Sequence, residues 1–187
     1  YSLWQYLCYR VSFICFMRYN NFQEAVKKIL LFLLLIMPIY LSLSLYFLDK
    51  NYFICPIEYK GDAVIRCDSR GEGFFAARRN GKRIHEGIDL FAETGSPVLA
   101  CRSGIIIAAR KNRGMGNFII IRHPGNIITI YGHLSRIYVY RNAFVRQGEV
   151  IGSVGKTGNA NYADIQPHLH FEVRKDGIPQ DPSEYLE

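Results

Sequence analysis

Four of the five histidines in this chain stand in local patterns that suit metal and proton chemistry. His168-Leu169-His170 lies in an apolar run, so the two imidazoles project from one strand face about 6.6 Å apart while Leu169 and Phe171 point to the core. One such ring can bind a metal while its neighbour addresses a water on that metal. Thr129, Tyr131 and His133 alternate with Ile128 and Ile130, which puts His133 on the more polar face of a second strand, available to the same cleft. His85 and Asp89 are four apart in His-Glu-Gly-Ile-Asp, where the chain passes from loop into the apolar Leu90-Phe91.

Two imidazoles and one carboxylate make a suitable zinc shell, because neutral nitrogens match the borderline-soft ion and the carboxylate lowers the net charge. A fourth, open position then holds a water whose pKa falls to about 7. Further histidines can carry protons and stabilise a developing oxyanion. His85-Glu86 does not begin the helical His-Glu-x-x-His signature, since the fifth residue is Asp89 and Gly87 is poor helix material. Glu86 is therefore expected to be a solvated side chain. His123, beside a turn, is expected to be structural.

His85-x-Gly-x-Asp89, then Tyr131-x-His133-Leu134, then Pro167-His168-Leu169-His170-Phe171-Glu172 resemble, in order, spacing and flanks, the motifs of the lysostaphin-type (LytM-domain) zinc metalloendopeptidases. The resemblance runs from about Val64 to the C-terminus and takes in Gly158 of Lys-Thr-Gly and Asp181-Pro182. It implies one zinc ion held by His85, Asp89 and His170, with His133 and His168 as the catalytic pair flanking the attacked carbonyl. It also implies a compact antiparallel β-sheet groove of the duplicated hybrid motif type, acting as a peptidoglycan endopeptidase on peptide cross-links. A non-catalytic wall-binding or amidase-activating module of the same fold is the alternative. Two departures stand out: Phe75-Ala76-Ala77-Arg78 lacks the glycine of the family's Phe-Gly-x-Arg, and Asn159–Gln166 is a longer, more polar insertion than the shortest family loops. Arg78 is expected to be a surface residue.

The elements that must position these groups are strands. From residue 88 onward, short β-branched and aromatic runs alternate with turn residues, and no window after Leu48 has a helical period free of Gly and Pro. The domain is expected to be mainly β. Asn117–His123 and Asn126–Leu134, joined through Pro124-Gly125, read as an antiparallel hairpin. Pro97–Cys101 and Gly104–Lys111 precede it; Gly148–Val154 and His168–Arg174 follow. Gly152, Gly155 and Gly158 read as turn and bulge glycines, since no helix follows them to make a phosphate cradle.

Ahead of this domain, Ile29–Leu48 carries no charge over a length that matches a bilayer core, and Lys27 and Lys28 stand before it. An N-terminal transmembrane helix is predicted, with the N-terminus in the cytoplasm and the catalytic domain in the periplasm or outside the cell. An uncleaved anchor fits better than a signal peptide, whose apolar region is shorter and ends in a small-x-small site. A secreted form follows if the anchor is cleaved. The predicted organisation is a cytoplasmic leader at 1–28, with the natural start expected at Met17, an anchor at 29–48, a linker at 49–70 and a metallopeptidase domain at 71–187. Residues 49–187 carry 19 Lys and Arg against 15 Asp and Glu, a basic balance that suits an anionic wall polymer; an exported domain is not expected to meet nucleic acid. With no Cys-x-x-Cys pair, a zinc ribbon is excluded. Cys55 and Cys67 either pair as a staple in an oxidising compartment or remain free thiols.

Overall fold

A computed structural model describes residues 3–48, 53–79 and 83–186. Two compact units divide at residue 48. The first is one helix, α1 (Leu3–Leu48), longer than the predicted anchor because it begins within the leader, and it runs through Pro38. Within it, Asn20–Ser42 is long and apolar enough to cross a membrane, and none of that stretch is buried.

The second unit is built of twelve strands: β1 (Cys67–Asp68), β2 (Gly71–Glu72), β3 (Ile88–Phe91), β4 (Pro97–Leu99), β5 (Gly104–Asn112), β6 (Gly116–His123), β7 (Ile127–Leu134), β8 (Arg136–Ile137), β9 (Phe144–Val145), β10 (Val150–Ser153), β11 (His168–Lys175) and β12 (Ile178–Gln180). Its only helices among the described residues are the short 3₁₀ turns Gly158–Ala160 and Pro182–Glu184. The mainly β expectation therefore holds. The large sheet runs β12-β11-β7-β6-β5-β9, with β3 also on β11, and a smaller sheet runs β4-β10-β8. Every pairing between these strands is antiparallel.

The expected hairpin is β6 and β7, whose turn has both Gly125 and Asn126 in the left-handed region. Asp176-Gly177 closes β11 onto β12 in the same way, as a two-residue turn with positive φ at both positions. Ile106, Ile119, Ile121, Leu134, Ile151, Val154, Leu169 and Phe171 fill the core, and each such side chain contributes about 1.5–3 kcal/mol when fully removed from water.

Residues 53–70, expected as a linker, pack against this core: Phe53 and Ile57 are buried, and Ile65 bridges to Leu90. Phe53–Ile57 is a five-residue apolar run interrupted by Pro56, and mixed charges and Gly61 follow it, so no strand or helix period announces the segment. Residues 49–52 of that linker, residues 80–82 of the loop before His85 and residues 1–2 of the leader lie outside the described residues. Cys55, Cys67 and Cys101 are all free thiols, so the Cys55–Cys67 staple does not form.

Candidate active site

The register of three strands assembles the centre. His170 on β11 lies opposite Asp89 on β3 to one side and Gly132 on β7 to the other, while Phe171 lies opposite Ile88 and Tyr131. Alternation along β11 sends His168 and His170 to the cleft and Leu169 and Phe171 to the core, as expected. A slip of one residue between β3 and β11 would turn Asp89 into the core. Gly87 permits the approach, because a Cβ there would collide with the Phe171 carbonyl oxygen.

His85 reaches the centre from the loop before β3. Its backbone pairs with residues 76 and 77: Ala76 N–H donates to the His85 carbonyl at 2.9 Å, and His85 N–H to that of Ala77 at 2.9 Å. Three potential ligand atoms then converge. His85 Nε2 lies 3.0 Å from His170 Nδ1 and 3.1 Å from Asp89 Oδ1, and His170 Nδ1 lies 2.9 Å from Asp89 Oδ1. His85, Asp89 and His170 thus form a candidate metal site.

Every atom pointing away from that centre is already engaged. His85 Nδ1–H donates to the Phe74 carbonyl at 2.8 Å, which fixes the tautomer and leaves the Nε2 lone pair for a metal. His170 turns the other way, with Nε2–H donating to Glu172 Oε1 at 2.9 Å. Arg174 Nε in turn donates to Glu172 Oε2 at 2.8 Å, and its guanidinium also pairs with Glu86, so Glu86 is exposed but not purely solvated. Asp89 Oδ2 accepts from Arg66 and Arg79, both at 2.9 Å, which leaves Oδ1 facing the centre.

His133 joins the cleft by a different route from the one its spacing suggests. Tyr131 packs on core-facing Phe171 with ring centroids 5.3 Å apart, so plain alternation would carry His133 to the core side with it. Instead the β6–β7 register shifts between Asn117 and Ile119, and His133 takes a left-handed φ of 62°, which brings its ring to 5.0 Å from His168 and 5.8 Å from His170. Thr157 holds it there: His133 Nδ1–H donates to the Thr157 carbonyl at 2.9 Å, and the Thr157 hydroxyl donates to Leu134 O at 2.8 Å. His168 Nδ1–H donates to Gln166 O at 2.7 Å, and its Nε2 is 4.0 Å from Asp89 Oδ1.

These environments separate the ionisation states. Burial, reinforced by the nearby His170 and His168, pushes His133 down to about 3. Burial also lowers His168, against the pull of Asp89. Burial disfavours the cationic form of His170 as well, but its hydrogen bonds to Asp89 and Glu172 outweigh it and raise the ring to about 9. Asp89 pays a burial penalty that its bonds to His170 and His85 more than offset, so it lies well below the usual carboxylate range.

The cleft around the centre has a volume of ≈ 870 Å³. At one end the turn after β1 is tied to the 159–166 insertion: Arg70 chelates Asp164 at 2.6 and 3.1 Å, and Gln166 N–H donates to Asp68 Oδ2 at 3.1 Å. All five predicted site residues therefore meet in one place. Sequence reasoning missed Arg66, Arg79 and Arg174, because arginines in loops carry no period, and it treated Glu172 only as a flank of its motif.

Fold and ligand set together define a class of β-groove proteins with a candidate two-histidine, one-aspartate metal site. Within that class the chain belongs to Peptidase family M23, which residues 83–182 match. It is 43% identical over 100 residues to the DD-carboxypeptidase/endopeptidase Mpg of Neisseria meningitidis, a match covering 54% of this chain and 22% of that protein. The chain thus spans about a fifth of that relative's length. A zinc-containing peptidase from Vibrio cholerae superposes with TM-score 0.59 at 30% identity, covering 70% of this chain and 39% of that one. The catalytic domain of the antimicrobial peptidase lysostaphin from Staphylococcus simulans gives TM-score 0.54 at 31% identity, covering 63% of this chain and 91% of that domain.

Proposed function

We propose that this chain is a zinc-dependent endopeptidase that hydrolyses peptide cross-links of bacterial peptidoglycan, held at the outer face of the cytoplasmic membrane by its N-terminal helix. The observation that carries the reading is the triangle of ligand atoms with edges of 2.9–3.1 Å. A tetrahedral zinc with arms of about 2.0–2.1 Å asks for edges of about 3.3 Å, so the donors need move only a few tenths of an ångström. The partners behind each ligand are those that zinc centres use to fix tautomer and orientation. Mpg is a DD-carboxypeptidase/endopeptidase and lysostaphin an antimicrobial peptidase, and both support a peptidase reading of this chain.

Zinc held there supplies Lewis-acid polarisation of a carbonyl and a nucleophile drawn from water near neutral pH. The chain's own residues do the rest. With Nδ1–H tied to backbone carbonyls, His168 and His133 both present an Nε2 lone pair to the cleft, and burial keeps both neutral at pH 7. We assign His168 as proton carrier, because Asp89 at 4.0 Å stabilises the imidazolium that forms when it takes the water proton. That proton then passes to the leaving amine. His133 flanks the carbonyl from the other side with its neutral ring held by Thr157, and it donates from Nε2 only if that nitrogen gains a proton as the negative charge of the oxyanion builds up. The uncharged stretch of the helix from Ile29 onward, with Lys27 and Lys28 directly before it, supports a single-pass anchor over 29–48, a cytoplasmic leader before it, and a domain outside the membrane.

The test is mass spectrometry of muropeptides after digestion by the detergent-solubilised protein, beside its metal content. Cleavage of cross-linked muropeptides should track bound zinc and vanish on chelation or in His170→Ala. Undiminished cleavage after either would refute the mechanism. A protein that held no zinc and cut nothing would be a wall-binding or amidase-activating module instead.

A further inference from the structure

Asp68 ends β1 at the turn that leads into β2, yet its side chain is only 7% exposed. It is not among the residues that line the cleft. Its Oδ1 accepts from the Arg70 N–H at 2.9 Å, which closes the turn, and from Arg66 Nη1. Its Oδ2 accepts from the Gln166 N–H at 3.1 Å. Burial works against the charge, but these donors outweigh it and hold the carboxyl below the usual carboxylate range, so both oxygens accept at neutral pH.

Each oxygen leads to a different group of the centre. Arg66 is as deeply buried as Asp68 and spends its two terminal nitrogens on two carboxylates, Nη1 on Asp68 and Nη2 on Asp89 Oδ2 at 2.9 Å. Because the guanidinium is planar and rigid, pinning one nitrogen on Asp68 fixes the direction in which the other meets Asp89. Gln166 leads to His168. Its side chain is exposed and only its backbone is used: the N–H donates to Asp68, and the carbonyl accepts from His168 Nδ1–H at 2.7 Å. Pro167 restricts Gln166 to extended backbone, so a pinned N–H also sets the direction of the carbonyl. The other tie to this loop, Arg70 to Asp164, joins two exposed side chains and holds it more weakly.

We propose that Asp68 is a positioning residue that sets Asp89 and His168 together, Asp89 through the Arg66 guanidinium and His168 through the Gln166 backbone. The role rests on the peptidase reading above and adds to it a shared support behind metal ligand and proton carrier. One buried carboxylate thereby fixes their separation, in which His168 Nε2 stands 4.0 Å from Asp89 Oδ1.

Two substitutions in the full chain separate the two relays. In Asp68→Asn the amide oxygen should keep the side that has two donors, Arg66 and Arg70, which sets the NH2 group against the Gln166 N–H. With zinc saturating, kcat should fall about 10–100-fold at unchanged KM, while zinc affinity stays close to that of the parent. In a His168→Ala background the same substitution should leave kcat nearly unchanged, because the group it positions is gone. Asp68→Ala removes both relays and should weaken zinc binding about tenfold as well, read by competition titration. Equal fold-losses of kcat in the two backgrounds, a loss confined to KM, or parental zinc affinity in the alanine variant overturns the proposal. The unsubstituted chain gives a further check that needs no variant to fold: by nuclear magnetic resonance His168 should carry its proton on Nδ1 and the Gln166 amide should exchange slowly. Rapid exchange at Gln166 overturns the relay to His168. A parent that cuts no muropeptide sinks the peptidase reading, and the exchange and zinc measurements then judge Asp68 alone.

Discussion

Strand β7 and its neighbours serve two histidine clusters that differ in how much hydrogen-bonding capacity is left over. Towards its start, His123 is buried with both ring nitrogens engaged, Nδ1 with the Ser103 carbonyl at 2.9 Å and Nε2 with the Thr129 hydroxyl at 2.7 Å. Thr129 continues to the Tyr131 hydroxyl at 3.2 Å, which itself contacts Cys101 Sγ at 3.1 Å and accepts from Cys101 N–H at 3.0 Å. Sealed in this way, the Cys101 thiol is pushed up to about 12 by burial and is inert as a nucleophile. At the other end, His133 and His168 each tie only Nδ1 to a backbone carbonyl and aim Nε2 at the cleft. Saturation makes a histidine structural, and one unspent nitrogen facing a cavity makes it chemical.

Breaking the cleft end should cost catalysis. His168→Ala and His133→Ala are each expected to lower kcat by about 10²–10⁴-fold while the metal stays bound, read by steady-state kinetics beside metal analysis. Loss of the metal in either would move that histidine into the ligand set. Glu172→Gln acts one step further back: its amide still accepts from His170 Nε2–H but lacks the charge, and zinc affinity should weaken by about 10–100-fold in a competition titration.

Breaking the sealed end should cost stability instead. His123→Ala removes one hydrogen-bond partner from the Ser103 carbonyl and one from Thr129, and should destabilise the domain by about 1–3 kcal/mol in denaturant unfolding. The kcat of the fraction that remains folded should match the parent; a collapse of kcat in fully folded protein would erase the distinction between the two clusters.

The smallest effect is the pH dependence of the metal-free protein. His133 and His168 are depressed below 6.5, so unfolding lets them take up protons and stability declines as pH falls below that value. His170 is raised to about 9, so its contribution is complete below 6.5 and is lost as pH rises through 9. Asp89 and Glu172 are both lowered, and their contributions disappear in acid as each carboxylate is protonated. Thermal unfolding after chelation should therefore show a maximum near pH 6.5. A flat profile between pH 6 and 9 would mean that His170 is not held as a cation by Asp89 and Glu172.

The site residues were legible because each lies in a short motif, and His168 and His170 needed only the two-residue period of a strand. His133 was placed in the right cleft for an insufficient reason, since the left-handed backbone that delivers it leaves no mark in an alternating pattern. Arg66 and Arg79 were illegible as partners of Asp89 because they arrive from irregular segments. The packing of Phe53 and Ile57 was hidden because a short apolar run broken by Pro56 and followed by mixed charges reads as a linker until a sheet is there to receive it.

By itself the sequence determined which groups are available and which face of each strand they occupy, together with an apolar stretch of membrane-spanning length, because these follow from local periodicity and composition. Only the tertiary structure decided that β3 registers on β11 with Asp89 against His170, that a bulge turns His133 towards them, and that Arg66 and Arg79 share the outer oxygen of Asp89. Those outcomes depend on contacts between residues far apart in the chain, whose energies are set by packing and by competition for partners rather than by any local preference.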